Sequence, residues 1–244
     1  MRNIERSIVA VTTAIILAGG LGTRLRTTVP DLPKPMAPIV GRPFLEYQLD
    51  YWIKQGIERF LLSVGYHHEV IIDYFGNSYK GAELDYVIES TPLGTGGGFL
   101  LATEKIGKED PFLLLNGDTF FAVNLQELLA FAAANDADWC FSLFSTQEVG
   151  RYMGMGVSPQ GQITSLKTGA TFHSRLANGG VYLIKPGALS AISFIAGDKV
   201  SLEDDIFPAA LLSAVRLFGY ACSGTFIDIG IPEDYNRAQN LLSL

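Results

Sequence analysis

The sequence is poor in the residues that staple or metallate small folds. It carries two cysteines, Cys140 and Cys222, in 244 residues, too few for a disulfide framework or a paired-cysteine metal site. Both lie in apolar stretches, where free thiols are ordinarily buried, and a reducing, cytoplasmic setting suits them. The three histidines, His67, His68 and His173, show no ligand spacing, so solvent-facing or capping roles suffice for them. Positive charge is scarce: 18 Lys and Arg against 25 Asp and Glu leave a net charge of −7. No basic run occurs, so nucleic acid is not an expected partner. A phosphate ligand would need a local cationic pocket instead of a global field. No apolar run reaches the roughly 20 residues of a membrane helix. The stretch "SIVAVTTAIILAGG" (7–20) after Arg2 and Arg6 mimics a signal peptide, but Glu5 breaks the basic start and two threonines break the run. The chain is therefore expected to be soluble and free of the membrane, with residues 1–11 as a loose N-terminal extension.

What is present is an alternation. "TTAIILA" (12–18), "RFLLSVGY" (59–66), "AELDYVIES" (82–90) and "PFLLLNGD" (111–118) are apolar runs of the length expected for strands buried on both faces. "PFLEYQLDYWIKQG" (43–56) places Phe44, Tyr47 and Tyr51 at helical spacing behind a proline. "HEVIIDYFG" (68–76), "TGGGFLLATEKIG" (95–107) and "NLQELLAFAAAND" (124–136) predict three more helices, the last capped by Asn124. Four strand–helix units imply an α/β, Rossmann-like and mainly parallel sheet flanked by helices, with right-handed crossovers, in a single domain over 12–244. Past residue 137, strand-like runs at 138–145, 154–159, 161–167 and 178–184 are expected to add antiparallel or mixed strands. A helix over 201–214, strands near 215–221 and 225–229, and a final helix from Pro232 complete the pattern. Residues 12–136 read as a nucleotide-binding half and 137–244 as the other wall of a cleft.

In such sheets function sits at the carboxyl ends of the strands, and the distinctive segments fall there. "AIILAGGLGTRLRTTVPDLPKP" (14–35) joins a buried strand to bare backbone at Gly19, Gly20 and Gly22. Glycines let backbone amides approach an anion closely. Arg24 adds a planar fork for phosphate oxygens, and Lys34 a mobile point charge. The loop reads as a polyphosphate cradle, although neither the G-x-x-x-x-G-K-[ST] nor the G-x-G-x-x-G pattern is present. "LLLNGDTFF" (113–121) ends an apolar strand on Asp118, and "TFIDIGIP" (225–232) carries Asp228. Carboxylates in such places need cations or donors. Two of them plus substrate phosphates suit Mg2+, the one expected cofactor.

"LAGGLGTRL" (17–25), "KP" (34–35), "PLGTGG" (92–97), "NGD" (116–118), "NGGVYL" (178–183) and "DIGIPEDY" (228–235), in that order, resemble the sugar-1-phosphate nucleotidylyltransferases. The resemblance spans residues 13–240 and stands nearest the branch that joins GTP to a heptose 1-phosphate. It implies a nucleotide-diphospho-sugar transferase fold and a reaction in which a nucleoside triphosphate and a sugar 1-phosphate give a nucleotide-sugar and pyrophosphate. The sugar phosphate is itself the nucleophile, so no serine, cysteine or histidine triad is called for. By the resemblance, Gly19, Gly20, Gly22 and Thr23 wrap the triphosphate, with Leu17 and Ala18 also on the nucleotide side, Arg24 grips pyrophosphate, and Lys34 neutralises the α-phosphate. Asp118 and Asp228 hold magnesium. Gly94 lies under the base, with Thr95 and Asn116 on the nucleotide side. Asn178 and Glu203 bind sugar hydroxyls, and Gly154 and Lys167 lie on the sugar-phosphate side. The tail of longer relatives is absent, so the chain reads as the core domain alone.

Three features depart from the family pattern. "SLKTGATF" (165–172) replaces a common Glu-Lys-Pro, leaving Lys167 as the nearest phosphate-binding lysine. "RYMGMGV" (151–157) puts Gly154 one position late, and threonines follow Arg24 where proline is frequent. Glu89 stands where relatives that use uracil or thymine often have glutamine. A carboxylate only accepts hydrogen bonds, which suits the N1–H and N2–H₂ donors of guanine. GTP is therefore favoured over UTP, dTTP and CTP. A retaining glycosyltransferase would want a D-x-D motif, of which "NGDTF" supplies one carboxylate. A non-catalytic nucleotide sensor would not need Arg24, Lys34, Asp118 and Asp228 together. A homo-oligomer stays open.

Overall fold

The structure, a computed structural model, describes residues 11–20, 22, 24–25, 28–107, 110–148, 150–167 and 175–243, with the side chain of Lys167 excepted. In chain order it begins with β1 (Thr13–Leu17), a 3₁₀ turn (Lys34–Met36), β2 (Pro38–Ile39), β3 (Arg42–Pro43), α1 (Phe44–Ile53) and β4 (Arg59–Val64). It continues with α2 (His68–Phe75), β5 (Ser78–Tyr79), β6 (Ala82–Ile88), α3 (Gly94–Thr103), β7 (Phe112–Asn116), β8 (Thr119–Phe121) and α4 (Leu125–Ala134). Then come β9 (Trp139–Ser145), β10 (Gly154–Val157), β11 (Ile163–Lys167), β12 (Leu176–Ile184), a 3₁₀ segment (Pro186–Ala191) and a π turn (Leu202–Ile206). The last elements are α5 (Phe207–Leu212), β13 (Leu217–Ala221), β14 (Phe226–Asp228) and α6 (Pro232–Leu241).

Side chains on a strand alternate between faces, and here both faces are covered. Ile15 pairs in register with Leu61 and Leu114, and these three belong to one apolar cluster. Their neighbours Ala14, Ile16, Phe60, Leu62, Leu113 and Leu115 belong to the cluster on the other side. Hence the runs are continuous, not alternating. β1 lies between β7 and β4, parallel to both, and β6 extends the parallel set beyond β4. The second half joins the same sheet: β12 pairs antiparallel with β7, β9 and β10, β11 lies antiparallel to β10, and β13 is parallel to β9. The mixed, mainly parallel sheet expected from the sequence is what forms. Asn124 caps α4, its side chain accepting from the amides of Gln126 and Glu127 at 3.0 and 3.2 Å.

Three expectations need correction. Val11, assigned to a loose extension, is 4% exposed and packs in the core; the rest of that extension, residues 1–10, lies outside the described residues. The helix expected over 201–214 is broken into the π turn and α5. Pro208 has no N–H to offer the carbonyl of Asp204, so an α-helix cannot run through it, and the wider turn takes up the mismatch. The short strands β2, β3, β5 and β8 were not foreseen, since two or three residues carry no periodicity. Both cysteines are free, as expected; Cys140 is buried as expected, whereas Cys222 is only partly buried. Among the described residues no helix is long and apolar enough to cross a membrane.

Candidate active site

The glycine loop leaves the carboxyl end of the central strand. Ala18 N–H donates to Ser63 O at 2.7 Å, which keeps the chain in line with β4 for one more residue before it turns. At Gly19 a Cβ would collide with the carboxylate of Glu89, and a Cβ on Gly22, at φ +58°, would stand 3.3 Å from Lys34 Cβ. Bare backbone is thus required by neighbouring side chains as well as by any ligand. Leu25 and Val29 fix the far side of the loop in an apolar cluster that includes Ile227 and Ile229. Those two residues flank Asp228, so one small cluster holds the loop and that carboxylate in a common frame.

Two acids meet beside the loop. Asp118 follows β7 in the turn to β8, and β8 pairs antiparallel with β14 so that Asp228 lies opposite Thr119. Ile229 N–H donates to Asp118 O at 3.0 Å. The turn lies flush against β1: Gly117 N–H donates to Leu17 O at 3.0 Å, and a Cβ at Gly117 would collide with that oxygen. Lys34, on the 3₁₀ turn, donates from Nζ to Asp118 Oδ2 at 2.6 Å. A Cβ placed on Gly230 would be 3.5 Å from Lys34 Nζ and 2.8 Å from Asp228 Oδ1, which puts the ammonium close to both acids. Burial, followed by the charge of Asp118, raises the Asp228 carboxyl above the usual carboxylate range, against the pull of a 2.6 Å bond from Gly230 N–H and of Lys34.

Around this pair opens a cavity of about 470 Å³. Its wall contains Leu17, Ala18, Gly19, Gly20, Gly22 and Lys34 from the loop, and Glu89, Gly94 and Thr95 from the segment before and into α3. Asn116 and Asp118 line it from the turn after β7, and Glu203 from the π turn. Twelve residues singled out in the sequence therefore meet in one place. Arg24 is exposed on its turn and does not line the cavity. Asp228 does not line the cavity either, although it is close enough to Asp118 to feel its charge. Asn178 stands at a register shift in β12 two residues before Gly180, at φ +72°, where its amide donates to Tyr182 Oη at 2.8 Å and accepts from Gly180 N–H at 3.1 Å. Gly154 is buried and pairs with Lys167 and Ala177. Thr23 and the Lys167 side chain lie outside the described residues.

Glu89 is not a solvated strand end. Ser63 Oγ donates to its Oε1 at 3.2 Å and Leu93 N–H to its Oε2 at 3.1 Å, and Gly98 as well as Gly19 makes room for the carboxylate. Each oxygen keeps capacity to accept from a ligand. One residue of the site was missed altogether. Gln48, 2% exposed on α1, donates from Nε2 to Asn116 O at 2.8 Å and also to Thr119 O, clasping the turn that carries Asp118 from behind. An amide between Tyr47 and Leu49 on the buried side of α1 was its only visible signal.

The nucleotidyl transferase family matches residues 13–243. The chain belongs to that family. The transferase is 41% identical over 229 residues to D-glycero-α-D-manno-heptose 1-phosphate guanylyltransferase of Aneurinibacillus thermoaerophilus, covering 94% of this chain and 97% of the relative. It is 39% identical to the Campylobacter jejuni enzyme of the same name, covering 91% and 96%. Among solved structures, HddC from Yersinia pseudotuberculosis superimposes with a TM-score of 0.82 at 31% identity, over 96% of this chain and all of that one. A form of HddC complexed with GMP-PN gives 0.81. A glucose-1-phosphate thymidylyltransferase-like structure from Bacillus anthracis shares the fold at a TM-score of 0.82 and 20% identity.

Proposed function

We propose that this transferase moves a guanylyl group from GTP to a sugar 1-phosphate, D-glycero-α-D-manno-heptose 1-phosphate, giving GDP-heptose and pyrophosphate in the cytoplasm. The observation that carries the reading is that Lys34 and Asp118 pair in the wall of a glycine-lined cavity, with Asp228 close enough to feel the charge of both. The 41% identity to a heptose 1-phosphate guanylyltransferase supports the choice of substrates.

The chemistry follows from the residue types. An oxygen of the sugar phosphate attacks the α-phosphorus of GTP, the bond to the β-phosphate oxygen breaks, and pyrophosphate departs with its electron pair. The nucleophile arrives ionised, so the protein has no proton to remove. Its work is to align the two phosphates and to oppose the charge that builds between them. Lys34 donates to the α-phosphate on leaving Asp118, and the amides of the glycine loop receive the outer phosphates. Arg24, at the exposed edge of that loop, takes pyrophosphate. Glu89, braced by Ser63 and Leu93, accepts from guanine, and Asn178 and Glu203 accept from sugar hydroxyls.

Asp118 and Asp228 fit a magnesium ion: both are hard oxygen donors on facing strand ends, and one is buried at a cost that a cation relieves. Among the described residues no cluster of three or more His, Cys, Asp or Glu could hold a metal, so the remaining ligands would be substrate phosphates and water. Bound there, Mg2+ would supply Lewis-acid stabilisation of the phosphates. The test is a matrix of four nucleoside triphosphates against several sugar 1-phosphates, read by pyrophosphate release. Highest turnover for GTP with the heptose 1-phosphate supports the proposal, and preference for UTP, or release without a sugar phosphate, overturns it.

A further inference from the structure

The glycines of "PLGTGG" serve a contact that the cavity alone does not explain. Amides of Gly96 and Gly97 donate to Val200 O at 3.0 and 3.1 Å, and Val200 N–H donates back to Leu93 O at 2.9 Å. A Cβ on Gly94 would stand 2.6 Å from Val200 O, and one on Gly96 would stand 3.0 Å from it. The segment leading into the π turn therefore docks on the first turn of α3 through backbone, and only glycine permits the approach.

Thr95 sits inside this joint. Leu202 N–H donates to Thr95 Oγ1 at 2.9 Å, and that hydroxyl lies 2.9 Å from Glu203 Oε2. With one lone pair taken by an amide and a carboxylate oxygen as its other neighbour, the hydroxyl has a single assignment: it donates to Glu203. Ser201 Oγ lies 3.2 Å from the same oxygen while accepting from the amides of Glu203 and Asp204. Oε2 is thus held twice, and Oε1 carries no hydrogen bond among the described residues.

We infer that Thr95 is a positioning residue for the sugar rather than a contact for the nucleotide: it orients Glu203, across 108 residues of sequence, so that the free carboxylate oxygen accepts a hydroxyl of the incoming sugar 1-phosphate. The inference rests on the sugar-side role given to Glu203 above. It reassigns Thr95, which the sequence had placed with the nucleotide.

The test uses Thr95→Val and Thr95→Ser, each alone and combined with Glu203→Ala. Thr95 is exposed, so neither change reaches the core. Thr95→Val is expected to raise KM for the sugar 1-phosphate about tenfold and KM for GTP less than about twofold, as loss of a charge-assisted hydrogen bond on one substrate's side requires. Thr95→Ser stays near wild type. In the Glu203→Ala background Thr95→Val adds almost nothing, because the residue it acts through is gone. Amide hydrogen exchange at Leu202, read by NMR without substrates, quickens in Thr95→Val and not in Thr95→Ser. A KM effect that falls on GTP, additive effects of the two changes, or unaltered Leu202 exchange overturns the inference. If wild-type protein releases no pyrophosphate from any substrate pair, the proposed function fails, and Leu202 exchange still decides whether Thr95 holds the turn.

Discussion

Lys34 Nζ donates to Asp118 Oδ2 at 2.6 Å, and so the cation assigned to the α-phosphate waits on an acid assigned to the metal. Only 12% of the lysine side chain and 34% of the aspartate side chain are exposed, a setting in which such a pair is screened less than at the surface. The pairing keeps each charge compensated until substrate arrives and gives the ammonium a defined starting place.

Lys34→Ala should therefore lower kcat more than it weakens nucleotide binding, because the charge acts most strongly as the transition state develops. Loss of one such stabilising donor costs about 10²–10³ in kcat. Steady-state kinetics beside calorimetric titration of GTP separates the two effects, with the expected change in Kd far smaller.

Asp228→Asn should abolish turnover and yet stabilise the metal-free protein. The Asp228 carboxyl is raised above its usual range by burial and by Asp118, so the folded state holds that proton more tightly than the unfolded chain. Stability from this group is therefore complete at low pH and is lost as pH rises through the raised value. The neutral amide escapes the loss. Thermal melts near pH 7.5 with chelator should show a Tm higher by about 2–4 °C, the equivalent of about 1 kcal/mol in a chain this size. The difference should shrink as pH falls toward about 4, the ordinary aspartate range.

Gln48→Leu removes the clasp on the turn that bears Asp118. Two carbonyls, Asn116 O and Thr119 O, lose a buried donor, at a cost of about 1–3 kcal/mol. Chemical denaturation should register that loss, and kcat should fall with it although Gln48 does not line the cavity.

Gly98→Ala places a methyl 2.7 Å from Glu89 Oε1 and 2.8 Å from Ser63 Oγ. The carboxylate must move, and kcat/KM for GTP should drop by about 10–100-fold, the scale of a displacement near 1 Å. A nucleotide panel checks it: GTP should lose more than UTP.

The parts of this molecule that sequence made legible are those whose chemistry is local. Gly19, Gly20 and Gly22 after an apolar run, and Asp118 at the end of another, declare themselves by residue type and by place on a strand. Mixed pairing in the second half was legible because short runs followed one another without helices between them. What stayed hidden depends on partners far along the chain. Gln48 reaches a turn 68 residues away, and Leu25 shares a cluster with Ile227. The acceptor of the Thr95 proton is invisible until the π turn docks on α3. The break at Pro208 was legible in principle, since proline cannot sit far inside a helix, but the apolar spacing around it reads as continuous.

The stereochemical course at the α-phosphorus tests the central claim most directly. GTP made chiral at that atom with sulfur and an oxygen isotope is turned over with the heptose 1-phosphate, and the nucleotide-sugar is analysed by ³¹P NMR. A single displacement of one phosphate by another, steadied by Lys34 and the paired acids, predicts inversion. Retention would mean a nucleotide held covalently on the protein in between, and would contradict the account.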